Sequence, residues 1–221
     1  MEEKTNVFTN SNDITSTNAI STDYKEVPPK HVSEEEDFSK FKPAEELIRL
    51  DLGCGSSKRE GFLGVDKARL EGVDIVYDLE VFPWPFVVEN SVFEIFCSHY
   101  VEHTKDLIGF MKECYRILMP QCTVTIVAPY CASIRAFQDP THVRMITENT
   151  FNYFNREWMK SISIEHYDSI DNCNFSMESL RYYFNPEWVN RGDEAREFAR
   201  KHYFNVVMDI EFVLRKIGEK K

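Results

Sequence analysis

The chain has 221 residues, a length typical of one ordinary domain with enough side chains for a substantial core. Its formal net charge of −11 disfavours a nucleic-acid partner, because phosphate binding needs a basic surface. No apolar run is long enough to span a membrane, and the N-terminus has no hydrophobic signal core. We therefore expect a cytoplasmic protein with no membrane partner.

The cysteine pattern gives no sign of a disulfide framework. Six cysteines are present, and none forms a Cys-x-x-Cys pair or a Cys/His ligand spacing. Most lie inside apolar segments, where cysteine behaves as a small hydrophobic side chain. They are Cys54, Cys97, Cys114, Cys122, Cys131 and Cys173. This usage is typical of a reducing compartment.

Residues 1–40 are rich in Ser, Thr, Asn, Asp, Glu and Lys and contain few large apolar side chains. Such a segment buries too little surface to offset the entropy of ordering it, so we predict a disordered tail over 1–40. An arm that docks on a partner or covers a substrate is the alternative. We predict one folded domain over 41–221.

From residue 47 onward, short β-rich runs alternate with helical or turn segments, which is the pattern of an α/β sheet. The runs are 47–52, 62–66, 73–78, 92–98 and 123–128. A helix is predicted after the fourth run, capped by Thr104, with Asp106 in its first turn, and ending at Pro120. Near the end of the chain, 175–184 and 206–215 are predicted strands on either side of a helix over 187–202.

The first connections between these strands are short. Only six residues lie between Gly55 and Phe62, and the segment from Asp66 to Gly72 is shorter still. A parallel crossover normally needs about a dozen residues. We therefore predict abbreviated first crossovers with helices of about one turn. This compactness disfavours a dinucleotide-binding unit, which needs a full helix at this point.

The run Leu50-Asp51-Leu52-Gly53-Cys54-Gly55 combines a strand, an acid and two glycines. The glycines would let a ligand approach the turn closely, since they carry no side chain. Two further acids, Asp66 and Asp78, end the next two predicted strands. Acids at successive strand ends suit a nucleoside-like ligand, whose ribose hydroxyls and exocyclic amine are hydrogen-bond donors.

This run resembles motif I of the class I S-adenosylmethionine-dependent methyltransferases, and other segments follow in the order that this family shows. They are Phe82-Pro83-Trp84-Pro85-Phe86, Asn90-Ser91-Val92-Phe93-Glu94, Ser98-His99-Tyr100-Val101-Glu102-His103 and Arg116-Ile117-Leu118-Met119-Pro120. The chain looks most similar to small bacterial and phage-type members. The resemblance implies a Rossmann-like, seven-stranded, mostly parallel sheet whose last strand is antiparallel. It also implies S-adenosyl-L-methionine as the cofactor of the domain over 41–221.

By this resemblance, the loop after the first strand holds the methionine portion of the cofactor. Asp51 would anchor the turn, while Gly53 and Gly55 would let backbone amides approach the ligand. The family often has a third glycine in this loop, and here Ser57 takes its place. The resemblance therefore leaves the shape of the loop open.

The resemblance also assigns residues to the nucleoside portion. Asp66 would accept hydrogen bonds from both ribose hydroxyls, because one carboxylate can accept two at once. Asp78 would accept from the adenine amine, and the backbone of Leu79 would contact a ring nitrogen. Ser98 and His99 would lie beneath the cofactor at the end of the fourth strand. The alternative for each acid is a turn or helix-capping residue, and for His99 a packing role.

The loop after the fifth strand contains the best candidates for the chemistry. Loops at the carboxyl ends of parallel strands lie over the ligand crevice. We predict that His142 acts as a general base, that Asp139 orients it, and that Arg144 holds an anionic substrate group. The alternative is a turn at Asp139-Pro140 with a structural His142.

We expect no metal site. Asp139, His142 and His166 could in principle hold a divalent ion, but their spacing matches no ligand pattern.

The sequence thus favours a methyltransferase that acts on an oxygen or nitrogen of a small-molecule or sugar-like acceptor. A methyltransferase acting on protein or nucleic acid is one alternative, and a non-catalytic S-adenosylmethionine-binding module is another. The segment Ser98-His99-Tyr100-Val101 lacks the tandem prolines of enzymes that methylate amino groups of DNA bases. The retained Asp66, Asp78 and glycines disfavour a mere scaffold. Nothing in the sequence indicates the oligomeric state.

Overall fold

Seven strands form a single sheet in the computed structural model, which describes residues 47–164, 166, 170 and 173–218. The strands are β1 (Ile48–Leu52), β2 (Leu63–Asp66), β3 (Ile75–Val76), β4 (Val92–Ser98), β5 (Leu118–Pro129), β6 (Phe175–Phe184) and β7 (Val207–Lys216). The predicted tail over 1–40 lies outside the described residues.

The strand order is β3-β2-β1-β4-β5-β7-β6. Neighbouring strands from β1 to β5 pair in parallel, and β7 runs antiparallel to both β5 and β6. The prediction of a seven-stranded, mostly parallel, Rossmann-like sheet with an antiparallel last strand is therefore confirmed.

The helices lie after β4 in the chain. They are α1 (Leu107–Ile117), α2 (Arg135–Gln138), α3 (Arg156–Ser161), α4 (Pro186–Val189) and α5 (Asp193–His202), with a 3-10 helix at Thr150–Phe154. Asp106, not Thr104, caps α1, because the Asp106 carboxylate accepts a hydrogen bond from Gly109 N at 2.8 Å. The helix predicted over 187–202 is divided between α4 and α5.

The connections from β1 to β4 contain turns and no helix in the described residues. The first crossovers thus lack even the helices of about one turn that were predicted. Side-chain hydrogen bonds connect these segments instead. Asp74 accepts from Gly64 N at 2.7 Å and from Lys58 Nζ at 2.8 Å. Polar contacts therefore shape this half of the sheet where other α/β proteins use helices.

The two faces of the sheet differ in what covers them. One face carries the core side chains Leu50, Leu52, Ile95, Val124, Ile126, Phe212 and Leu214, which pack with α1. On the opposite face, Glu94, Phe96 and Thr125 are half-buried, and two of these side chains contact arginines. Arg49 pairs with Glu94 at 3.3 Å, and the Arg59 guanidinium lies 4.5 Å from the centroid of the Phe96 ring. None of the described helices has the length and apolar character of a membrane span.

Candidate active site

A cavity of about 630 Å³ lies at the carboxyl ends of the parallel strands. Each strand from β1 to β5 contributes residues at or beyond its end, and this edge is where open α/β sheets bind ligands. Five predicted residues line the cavity, namely Gly53, Asp66, Asp78, Leu79 and His99. The predicted residues Asp51, Gly55, Ser98, Asp139 and His142 are not among its lining residues.

Two carboxylates hold the loop between β1 and β2 in place. Asp51 is buried, and its Oδ2 accepts a hydrogen bond from Arg59 N at 2.7 Å. Burial raises the pKa of this carboxyl, against the opposing effect of the Arg59 contact. Asp66 Oδ2 accepts a second hydrogen bond from Gly55 N at 2.9 Å. The shape of the loop therefore depends on these acids as well as on its glycines.

Gly53 lies directly against Tyr100. The backbone of Gly53 has a φ of 71°, and a Cβ at this position would lie 2.7 Å from Tyr100 Cδ2. Gly55 has a φ of 53°, but a Cβ there would meet no atom within 4 Å. Tyr100, whose side chain the sequence did not single out, forms part of the cavity wall.

Asp66 and Asp78 each form a turn with the residue two positions further along. Asp66 Oδ1 accepts from Ala68 N at 2.9 Å, and Asp78 Oδ1 accepts from Glu80 N at 3.0 Å. A carboxylate oxygen has two lone pairs and can accept a second hydrogen bond. The turn role and the ligand role predicted for these acids are therefore compatible.

Trp84 holds Leu79, a residue of the cavity wall, in place by a hydrogen bond. The buried indole donates from Nε1 to the Leu79 carbonyl at 3.2 Å. The Trp84 backbone N donates to Glu113 Oε1 on α1 at 2.7 Å, and Glu113 is paired with Arg116. This chain of contacts ties one wall of the cavity to α1.

The turn after β4 places His99 between two acids. His99 has a φ of 55°, and its Nδ1 donates to Glu102 Oε1 at 3.2 Å. Its Nε2 lies 4.0 Å from Asp209 Oδ1 on β7. The hydrogen bond to Glu102 raises the pKa of His99, and burial raises the pKa of Asp209. Ser98 is the last residue of β4 and is half-buried.

The loop after β5 folds back onto this turn. Val143 N donates to the Glu102 carbonyl at 2.9 Å. The Arg144 guanidinium donates to the carbonyls of Thr104 and Lys105. The group predicted to hold an anionic substrate thus fastens the loop to the backbone instead.

His142 and Asp139 lie in this loop, but they contact each other only weakly. The His142 side chain is 7% exposed, and its Nδ1 donates to the Ala136 carbonyl at 3.1 Å. Asp139 Oδ2 lies 4.0 Å from His142 Nε2. Asp139 Oδ1 accepts from the Thr141 hydroxyl at 2.7 Å, and this contact lowers the pKa of Asp139. The Ala136 carbonyl, rather than Asp139, orients the His142 ring.

Glu102 and His103 were not predicted as site residues, yet they lie where the two loops meet. Glu102 Oε, His103 and His142 bring three potential ligand atoms within 4.8 Å of one another. His103 lines the cavity, and α1 begins four residues after it. The presence of His99, Glu102 and His103 together at a strand end was the sequence signal that could have indicated this cluster. The contribution of His142 becomes visible only in the folded structure, where its loop lies against these residues.

Comparison with known proteins gives a result at the level of structure alone. No family model matches the sequence, and no curated protein sequence matches it. A solved S-adenosylmethionine-dependent methyltransferase from Mesorhizobium loti has a TM-score of 0.51 at 12% identity, covering 81% of this chain and 95% of that one. One from Archaeoglobus fulgidus has a TM-score of 0.51 at 16% identity, covering 77% and 86%. The chain therefore has the fold of the class I S-adenosylmethionine-dependent methyltransferases.

Proposed function

We propose that this chain binds S-adenosylmethionine in the cavity at the carboxyl ends of β1–β5 and transfers its methyl group to an oxygen or nitrogen of a small acceptor. The observation that carries the proposal is the convergence of Gly53, Asp66, Asp78 and Leu79 on one cavity. These residues come from three separate strand ends, and the sequence had assigned each of them to the cofactor.

The donors and acceptors around the cavity fit the proposed ligand. Asp66 and Asp78 retain acceptor capacity for ribose hydroxyls and for an exocyclic amine. Gly53 and Tyr100 both line the cavity, and Gly53 presents no side chain to a methionine portion. The volume of about 630 Å³ is in the range of small-molecule sites. When bound, S-adenosylmethionine supplies an activated methyl group, and the chain aligns the acceptor with it.

The acceptor side is proposed to be the wall formed by His99, His103, Thr141 and Val143. These residues line the same cavity as the cofactor residues, so the acceptor must share a space of limited size. This shared space favours a small molecule over a polymer.

The general-base role predicted for His142 takes a modified form in this proposal. His142 is almost fully buried and contacts the cavity through His103, whose ring centroid lies 4.6 Å away. We propose that His103, which lines the cavity, takes the proton of the acceptor, that His142 packs against the His103 ring and positions it, and that Asp139 positions Thr141.

Isothermal titration calorimetry with S-adenosylmethionine tests the proposal. The wild-type chain is expected to bind at micromolar concentration. Asp66→Asn removes the charge and replaces one of the two carboxylate oxygens, which accept from Gly55 N and Ala68 N, by an amide nitrogen that cannot accept a hydrogen bond. Affinity should therefore fall at least about tenfold, or about 1.4 kcal/mol.

Asp193→Asn is the matched control, because Asp193 is an exposed residue at the start of α5. It should bind as the wild type does. Absence of binding by a folded wild-type chain contradicts the proposed function, and equal affinity in Asp66→Asn contradicts the assigned site.

A further inference from the structure

We propose that Glu102, His103 and His142 form a binding site for a divalent first-row transition ion, with Zn²⁺ as the representative ion. One ligand atom from each side chain lies within 4.8 Å of the other two. Two imidazole nitrogens and one carboxylate oxygen are a donor set that such ions use widely in proteins. No metal site was predicted from the sequence, where only Asp139, His142 and His166 were considered as ligands.

Glu102 supplies the first independent indication of a missing partner. Its side chain is 2% exposed, and Oε1 accepts the hydrogen bond from His99. The other oxygen, Oε2, is buried and accepts no hydrogen bond from any described residue. A buried carboxylate oxygen without a donor is costly. A cation beside it would remove this cost.

The two histidines are held in the form that a metal requires. His142 Nδ1 donates to the Ala136 carbonyl, which leaves the lone pair on Nε2. The Thr141 hydroxyl donates to Asp139, so it accepts from His103 Nδ1 at 2.9 Å and likewise leaves the His103 lone pair on Nε2. Metal-bound histidines in proteins almost always donate their other ring N–H in this way.

The backbone brings the three residues together independently of any ion. Val143 N donates to the Glu102 carbonyl, which places the residue before it, His142, beside the turn after β4. Arg144 fastens the same loop to the carbonyls of Thr104 and Lys105. The site is therefore built by two loops that the fold holds against each other.

The position of the cluster suggests what the ion would do. Three protein ligands leave coordination positions open, and His103 lines the cavity next to Thr141 and Val143. An acceptor with a hydroxyl oxygen would bind there. The ion, rather than an imidazole, would then lower the pKa of the bound hydroxyl, because a coordinated imidazole has no free lone pair for a proton. This last step rests on the proposed function, whereas the metal site itself does not.

Metal binding is measured on the full-length, tag-free chain, because a polyhistidine tag would itself bind zinc. The chain is treated with a chelator, desalted and titrated with Zn²⁺ by calorimetry at a fixed pH of about 7.5, without S-adenosylmethionine. We expect about one Zn²⁺ per chain. Replacing Zn²⁺ by Co²⁺ should give visible absorption bands, which report ligand geometry directly.

His103→Gln and His142→Gln should each weaken Zn²⁺ binding by more than about tenfold, and Thr141→Val should weaken it by about tenfold through loss of the His103 contact. His202→Gln is the matched control, because His202 is an exposed residue on α5 and lies outside the cluster. Glu102→Gln is less informative alone, since the buried side chain could affect folding. Circular dichroism verifies that each variant is folded.

Failure of the folded wild-type chain to bind Zn²⁺ or Co²⁺ overturns the metal site. So does equal affinity in His103→Gln, His142→Gln and His202→Gln. Both results leave the proposed function standing if S-adenosylmethionine still binds in the parallel titration. Zn²⁺ binding without S-adenosylmethionine binding would support the metal site and contradict the proposed function.

Discussion

Gly53 and Gly55 are both in left-handed backbone conformations, but the structure requires glycine at the two positions for different reasons. At Gly53 a methyl group would overlap the Tyr100 ring, in addition to the strain of its φ of 71°. At Gly55 only the strain of a φ of 53° applies, and Asp66 accepts the hydrogen bond from its N–H. Glycine thus permits close packing against Tyr100 at one position and serves backbone geometry alone at the other.

Gly53→Ala and Gly55→Ala should therefore differ in effect. Left-handed strain costs about 1–2 kcal/mol for an alanine, and overpacking adds about 1–3 kcal/mol. We expect Gly55→Ala to lose only the first amount and Gly53→Ala to lose both, measured as the free energy of unfolding in urea. Equal losses in the two variants would show that Tyr100 moves away without cost.

At the scale of elements, the connection from β3 to β4 does the work of a crossover helix. It carries Asp78 and Leu79 at the cavity, and it is anchored by the Trp84 indole and the Glu113 carboxylate of α1. Glu80 adds a second anchor, since its carboxylate accepts hydrogen bonds from Lys105 N at 3.1 and 3.2 Å. The cavity wall at Asp78 and Leu79 is therefore held in place by its contacts with the segment around α1.

Trp84→Phe tests this anchoring. The variant keeps most of the buried ring but cannot donate to the Leu79 carbonyl, which costs about 1 kcal/mol. We expect the Kd for S-adenosylmethionine to rise about fivefold while the variant stays folded. Trp188→Phe on α4 serves as the control and should leave the Kd unchanged. A Kd in Trp84→Phe that equals the wild-type value would mean that Leu79 is held by other contacts.

At the scale of the whole molecule, the core contains cysteine thiols that bind their protons more tightly in the folded state than in the unfolded chain. Burial raises the pKa of the Cys97 and Cys114 thiols well above the usual value and that of Cys173 to about 12. Burial lowers the pKa of Lys216, which acts in the opposite direction. Three thiols with raised pKa values act against this one lysine. Desolvation also raises the pKa of the Tyr130 and Tyr182 hydroxyls.

The free energy of unfolding should consequently fall as the pH rises above about 8.5, where thiols of the unfolded chain begin to ionise. Each thiol that stays protonated only in the folded state contributes about 1.4 kcal/mol per pH unit between its two pKa values. Urea denaturation between about pH 7 and pH 10.5, under reducing conditions, measures the slope.

Cys173→Ala should show a shallower slope than the wild type, because one of these protons is absent. A free energy of unfolding that is constant or increases over this pH range would contradict the assignment.

The sequence predicted what depends on local pattern. The strand runs, the acids that end the second and third runs, and the short first crossovers are all properties of neighbouring residues. It could not predict that the loop after β5 docks on the turn after β4, because Arg144 and its partner Thr104 are 40 positions apart. The grouping of His142 with Glu102 and His103 could not be predicted for the same reason, because about 40 positions of sequence separate them. The cap of α1 was wrong because Thr104 and Asp106 are both good caps, and packing decides between them.

The two faces of the sheet differ in burial, and this difference determines which positions tolerate substitution. Side chains on the core face, such as Ile95 and Ile126, are fully enclosed, so a change in volume there disturbs the packing behind the cavity. Their neighbours on the other face, such as Glu94, Phe96 and Thr125, are only half-buried. Alternate positions along one strand therefore face different selective constraints, and the chain can diverge on one side while the cavity keeps its form.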